Sequence, residues 1–547
     1  MLHDWYFQVK NPVFEFCGTR FSAEIFTPIN RYDLDAEKCR VEKDENGFRL
    51  ECGGLTWAGG QERSEGSFRL AVRRAGGRLI FEGEGKKPGD RITRVKLRLY
   101  GQPEGKIVAR RRYDGKVDEE GTIFRYPNGW DDLFTPLVTI VGVGGRTRFY
   151  RSLDTVVRPK TFYIRKQGEV VVELIFEEDA RRASSEIRVP SWEIGECASP
   201  DEIFREQQAF VERAYGLKKW EERTDIPAWA REIGLVVSLH GMHWSGYIFN
   251  DYAEMRRKLR WFAERIDPKN VLVYIPGFDG RYYYKYCDYT PDERMGGSRG
   301  FKELTDEAHE LGFHLMPMFM ANGANPQTPG FSEWGEPSRY RGPNGYKLGV
   351  GSCDWDTSRG YDLGCGVGLN PGAPLWQDRL VGELTRQIEA FDMDGVFLDL
   401  AAIYHNDPVY STFEGSEQIA RRLHERFPQL LIGTEGWYDA LGGFFPFSQC
   451  AGNGENGEMI WHDTPYAPFY DDYNRYFGHL CLGDVAAHRN GVFEWGMNPA
   501  PARLPLRKGL IPTLTVLDDT LEKAPEKVME VIADAKRYRE LYIDKKS

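Results

Sequence analysis

The chain contains no apolar run of the ~18 residues that a membrane-crossing helix needs. Its start, MLHDWYFQVKNPVF, has neither a basic cluster nor a continuous apolar stretch, so it does not read as a signal peptide. No Cys-x-x-Cys pair occurs among the nine cysteines, at 17, 39, 52, 197, 287, 353, 365, 450 and 481. An odd number cannot all pair within one chain, and reduced thiols in a cytoplasmic protein are the expectation. A basic excess is also missing. The 83 acidic residues outnumber the 72 basic ones for a net charge of −11, which argues against nucleic acid and anionic lipid as partners. Neither disorder nor a coiled coil fits a chain that is 41% hydrophobic and 28% charged.

What is present is enough chain, 547 residues, for two large domains. Over residues 1–199, β-branched and aromatic runs alternate with Gly-containing turns, as in FRLECGGLTW, RLAVRRAGGRLIFEG, LVTIVGVGGRTRFY and FYIRKQGEVVVELIF. Apolar residues alternate with Arg, Lys or Glu, the mark of antiparallel strands with one buried face, and a β-sandwich is expected. Gly142, Gly144 and Gly145 lie in such a hairpin with no helix following, so they read as turn residues and not as a phosphate loop.

Residues 200–228 change to a charged, helical pattern that ends before Pro227 and read as a linker helix. From 229 to 547, apolar strand-like runs take turns with amphipathic helices. The runs are GLVVSLH, NVLVYIP, FHLMPMF, DGVFLDL, LLIGTE, two weaker ones near 458–461 and 482–487, and LIPTLTVL. Eight such units suggest a (β/α)8 barrel, whose chemistry sits on the loops after the strands. A doubly wound open sheet is the other topology, but HGMHWSGY after the first strand is not a Gly-rich phosphate turn. The expected fold class is therefore α/β, a barrel preceded by an antiparallel β-sandwich.

The fourth strand ends in Asp399 and the fifth in Glu435. A charge placed where a buried strand emerges needs work or a partner. Neighbouring strands run about 4.8 Å apart, so two strand-tip carboxyls can reach the ~5 Å separation of retaining glycosidases. Each carboxylate alone could equally cap a helix or pair with an Arg; the two on consecutive strands point to catalysis.

With these residues the chain resembles α-amylase-like glycoside hydrolases, and its sandwich followed by a barrel resembles α-galactosidase-like relatives. The resemblance implies Asp399 of GVFLD as nucleophile, Glu435 of GTEGW as general acid/base, and an α-linked substrate. Phe397 stands where α-amylases carry an Arg, a departure from the amylase pattern. A small subdomain inserted after the third strand of such barrels is matched here by residues 321–374, which hold twelve glycines.

Polar and aromatic residues on the same loops are candidates for gripping sugar: His240, Trp244, Asp279, Arg281, Trp355, Trp437, His462, Asp463 and Asp518. With 14 Trp and 28 Tyr in the chain, any single ring is as readily a packing anchor. His240 and His243 form H-x-x-H, but off a helix and without a third ligand they are a weak metal signal. The expectation is a retaining glycoside hydrolase without metal or cofactor, acting on a glycoside or oligosaccharide, its state of self-association open. A binding-only barrel and a metal-dependent isomerase or lyase are the alternatives.

Overall fold

The computed structural model describes residues 11–544 apart from 111–113, 129–131, 244–245, 281–285, 349–365, 452–464, 466–470 and 479–504. The chain forms two compact units. The first comprises Met1–Gly216 with the short segments Gly342–Tyr346 and Asn406–Val409, and the second is the remainder.

The first unit is built on two nine-stranded antiparallel sheets. Its hairpins follow the sequence pattern: Ser67–Ala75 pairs with Arg78–Lys86 around Gly76, whose φ of +62° is the left-handed conformation that favours glycine. Residues of Ser67–Ala75 alternate between buried and exposed along the strand, as one buried face requires. Gly142 and Gly145 close the turn between Leu137–Gly142 and Thr147–Ser152, as turn residues. The sheets meet through aromatic edges: Phe21 against Phe81 at 5.3 Å and Phe162 against Trp192 at 5.3 Å. Helix Pro200–Tyr215 belongs to this unit and is tied to it by a two-pronged Arg78–Glu206 ion pair, both contacts at 2.6 Å.

The second unit contains a nearly closed parallel sheet. Its strands are β1 (Leu235–Leu239), β2 (Val271–Ile275), β3 (His314–Met320), β4 (Gly395–Asp399), β5 (Leu431–Glu435), β6 (Phe447–Ala451), β7 (Arg475–Gly478), β8 (Leu510–Ile511) and β9 (Thr513–Val516). Only Pro512 separates β8, which pairs with β7, from β9, which pairs with β1. Proline has no N–H to give a ladder, and the run expected as one strand is two segments. Helices Tyr252–Ala263, Gly297–Leu311, Pro374–Phe391, Thr412–Arg426 and Pro525–Tyr542 follow the strands much as the periodicity predicts. The sixth and seventh strand positions differ from expectation. Residues 458–461 and 482–487 lie outside the described residues, and FSQCA and RYFG fill those positions. Both are short segments with polar residues, so neither carries the apolar signature of a buried strand.

Side chains alternate across each strand, and register identifies the inward ones. Tyr274, Phe397 and Phe477 meet at 4.7–6.0 Å and Phe447 stacks on Phe477 at 5.2 Å, so these four fill the barrel. A side chain on Gly433 would press within 2.8 Å of Met316 and 3.1 Å of Phe397, which explains glycine there. Phe397, in the place of the amylase Arg, is thus part of the packed interior. Among the described residues no helix is long and apolar enough to cross a membrane.

Candidate active site

Two residues beyond inward-facing Phe397 comes Asp399, and two beyond Gly433 comes Glu435, so both carboxyls share the inner face at the C-terminal ends of β4 and β5. They are 4% and 7% exposed, a depth at which a carboxylate is costly unless it is held. The backbone holds the strand tips: Ala321 N–H donates to the Asp399 carbonyl at 3.0 Å, Asn322 Nδ2 to Leu400 O at 2.8 Å, and Ala402 N–H to Glu435 O at 3.3 Å. Leu400 takes a φ of +58°, which is strained for a branched side chain, and its N–H donates to Glu435 Oε2 at 3.2 Å.

Glu435 also hydrogen-bonds with the Asp399 side chain. Burial pushes the Glu435 carboxyl up to about 7, only partly offset by Asp399 and the Leu400 N–H. Two buried carboxyls in contact retain a proton between them, because both cannot ionise cheaply at that distance. A pair of this kind offers one group able to donate a proton near neutral pH beside one able to attack.

The other sequence candidates divide into three groups. His240, directly after β1, is fully buried with its ring edge-on to Phe249 at 5.0 Å, and its carbonyl accepts from Asn250 Nδ2 at 2.7 Å. Asp279, beyond β2, is buried, and its charge adds to burial in raising the Tyr252 and Tyr289 phenols. Asp518, beyond β9, accepts from the Tyr247 hydroxyl. These three stand at the same ends of their strands as the carboxyl pair. Trp437 is wholly buried, and a side chain added at Gly442 would meet its Cζ2 at 3.0 Å, so its indole anchors the loop after β5. Trp244, Arg281, Trp355, His462 and Asp463 lie outside the described residues. The His240 and His243 rings are 6.3 Å apart, and among the described residues no group of three or more His, Cys, Asp or Glu side chains could hold a metal ion.

The inserted segment 321–374 has elements of its own among its described residues. Gly323–Ala324 pairs with Val367–Gly368, and Phe331–Trp334 makes a helical turn. Trp376, just beyond, donates from its indole to Ala321 O at 3.0 Å.

Two functional candidates escaped the sequence reading. Gln449 sits at the tip of β6, opposite Glu435 in register, and is 1% exposed. Lys258 is fully buried in helix Tyr252–Ala263 and donates to Asn250, to Leu517 O at 2.5 Å and to Asp518 O at 3.1 Å. Burial lowers its ammonium to about 8. It cross-links the chain after β1 to that after β9. Its sequence signal was available: Met255, Lys258, Leu259 and Phe262 form the buried stripe of the helix, and a lysine in such a stripe needs partners. Gln449 gave no such signal, because FSQCA does not read as a strand.

No protein-family profile and no curated protein matches the sequence. Solved structures do. The α-N-acetylgalactosaminidase NagBb from Bifidobacterium bifidum superposes with a TM-score of 0.66 at 14% identity, over 96% of this chain and 93% of that one. The galactosidase domain of the α-galactosidase-sucrose kinase AgaSK gives 0.54 at 15% identity, over 95% and 72%. The GH36 α-galactosidase AgaA from Geobacillus stearothermophilus gives 0.51 at 10% identity, over 95% and 75%. This chain shares their fold. At such identities the likeness speaks for architecture, and the chemistry has to be argued from the strand ends.

Proposed function

We propose that the protein is a retaining glycoside hydrolase acting on an α-linked sugar of the galactose or N-acetylgalactosamine type. The observation that carries this reading is the buried, hydrogen-bonded pair of Asp399 and Glu435 on consecutive strand ends, with Glu435 pushed to about 7. The sugar class and anomer are taken from the α-galactosidases and the α-N-acetylgalactosaminidase that share the fold. Counting the two segments on either side of Pro512 as one interrupted strand reads the barrel as eightfold.

In the first step Asp399 attacks the anomeric carbon while Glu435 protonates the departing oxygen; in the second, ionised Glu435 takes a proton from water, which releases the sugar from the Asp399 ester. Contact between the carboxyls supports retention, because an inverting pair has to leave room for a water at roughly 6.5–9.5 Å. Substrate enters by parting the pair and replacing their shared hydrogen bond. His240, Asp279 and Asp518 grip sugar hydroxyls, and Lys258 positions the chain segments that carry His240 and Asp518.

Incubation with 4-nitrophenyl α-galactoside and 4-nitrophenyl α-N-acetylgalactosaminide, followed by proton NMR of the first-formed sugar, tests the reading. Release of the α-anomer is expected. Release of the β-anomer would make the enzyme inverting, and no cleavage of any aryl glycoside would favour a binding-only barrel.

A further inference from the structure

We infer that Gln449 is a specificity residue that engages a hydroxyl or acetamido group flanking the glycosidic oxygen. The inference rests on the reading of Asp399 and Glu435 as the catalytic pair. Phe447 packs inside the barrel against Phe477, so Gln449, two residues further along β6, presents its amide on the same inner face. It stands opposite Glu435 in register, on the side away from Asp399. Among the described residues neither its Nε2 nor its Oε1 has a hydrogen-bond partner, although Gln449 is 1% exposed. Buried amides are almost always satisfied, and an unsatisfied one lowers stability. Such a group kept beside the proton donor is explained by a ligand that supplies both a donor and an acceptor, as a hydroxyl or an acetamido group does. The pairing would strengthen discrimination, since a substrate lacking that group would leave the amide unpaired.

The test is Gln449→Met, similar in length and apolar. We expect a higher Tm together with a fall of about 10-fold or more in kcat/KM on the aryl glycoside that the wild type cleaves best. If a disaccharide suffers this loss and the aryl glycoside does not, the group read belongs to the leaving sugar; if both suffer, it belongs to the sugar that is attacked. A lower Tm, or kcat/KM within twofold of wild type on every substrate, overturns the inference. Should the wild type cleave nothing, the catalytic reading fails by itself. Gln449 is then judged by whether galactose or N-acetylgalactosamine raises the Tm of the wild type and not of Gln449→Met, and absence of that difference overturns it.

In the first unit, Cys39 and Cys52 face each other directly across antiparallel strands Cys39–Lys43 and Gly47–Cys52. Gly53 N–H donates to Lys38 O at 3.2 Å and Asp44 N–H to Gly47 O at 2.9 Å; alternation from either bond makes 39/52 a pair without backbone bonds of its own. Side chains are closest at such pairs, where Cα atoms lie about 4.5 Å apart, within the range a disulfide spans. Both sulfurs reach the Asp35 carbonyl, at 3.4 and 3.5 Å. From this geometry we propose that Cys39 and Cys52 form a reversible cross-strand disulfide with a small disulfide such as oxidised glutathione as oxidant. The Cys39 hydrogen bond holds the Cys52 thiol down to about 7 and the same contact raises the Cys39 thiol, so the resting thiolate is on Cys52 and takes the Cys39 proton as half-buried Cys39 attacks. Cys39 attacks the glutathione disulfide and expels one glutathione thiolate; Cys52 then attacks Cys39 Sγ and expels the second. The two protons lost from the cysteines end on the two glutathiones.

Full-length protein equilibrated in graded glutathione buffers, then alkylated and digested, reports the outcome by mass spectrometry. A 39–52 linked peptide without retained glutathione is expected in wild type, and one retained glutathione on Cys39 in Cys52→Ser. Two free thiols under oxidising buffer, or a lasting mixed disulfide in wild type, would overturn the proposal.

Discussion

Two buried carboxyls, Glu24 in the first unit and Glu435 in the second, are answered in opposite ways. In the first, Glu24 is fully buried, which alone would raise it, yet Lys96 at 2.8 Å and Arg98 at 3.2 Å hold it below the usual carboxylate range. Glu173 pairs with the same Arg98 at 2.9 Å, and Asp154 with Arg158 at 2.8 Å and Lys160 at 2.9 Å. In the second, Glu435 is answered by another carboxyl and a backbone N–H, and it rises. The contrast even occurs along one stretch of chain. Asp394, just before β4, is half-buried, but hydrogen bonds from His309 at 2.9 Å, His314 at 3.2 Å and the Leu315 N–H at 2.8 Å bring it down to about 2. Asp399, at the far end of the same strand, shares its contact with Glu435. A carboxyl matched with cations or N–H groups holds the fold together, while one matched with a second carboxyl is poised to exchange protons.

The largest effect that could break this comparison is on turnover. Asp399→Asn should lower kcat by about 1,000-fold or more while the protein folds and still binds sugar, because an amide cannot form the glycosyl ester. Steady-state rates together with thermal melts in the presence of galactose check it, and wild-type rates in this variant would remove Asp399 from the chemistry.

Next in size is the pH dependence of Glu435→Gln. A carboxyl raised to about 7 adds stability that is complete below its unfolded value of 4.5 and lost as pH climbs towards 7. Glutamine does not titrate, so the variant should gain on wild type by up to about 3 kcal/mol between those limits, read from denaturant midpoints. Its first step on a good aryl leaving group should survive, with azide replacing the base-activated water. A variant that instead lost ground to wild type as pH rose to 4.5 would place Glu435 among the matched carboxyls, and a difference independent of pH would leave its pKa unshifted.

Smallest is Asp394→Asn, which should cost about 2 kcal/mol at pH 7 and leave KM unchanged. Here the sign reverses. Asp394 is held below its unfolded value of 3.8, so its contribution is present above 3.8 and fades as pH falls towards 2. Unfolding curves at pH 7 and pH 2.5 would show the gap between variant and wild type closing; a loss of activity larger than the loss of stability would contradict a purely structural role.

Much of the architecture was legible because local chemistry and final environment agree. Mainly apolar runs such as LVVSL and VLVYI are buried on both faces, and the amphipathic stretch at 297–311 packs its apolar stripe inward. Legibility failed where a strand is short and carries polar residues, as in FSQCA, and where one proline divides a strand between two neighbours, as at Pro512.

Sequence alone determined that Asp399 and Glu435 would stand at the ends of apolar strands, since a run that must be buried can emerge only at its end. It also determined the hairpin series of the first unit, through alternation and glycine turns. Tertiary structure decided which carboxyls became proton-sharing partners and which became anchors. That outcome depends on which groups long-range packing sets within hydrogen-bonding reach: Glu435 for Asp399, His309 and His314 for Asp394, and Cys52 for Cys39. Such neighbours are tens of residues away along the chain, or more than a dozen for the cysteines, and no local pattern records them.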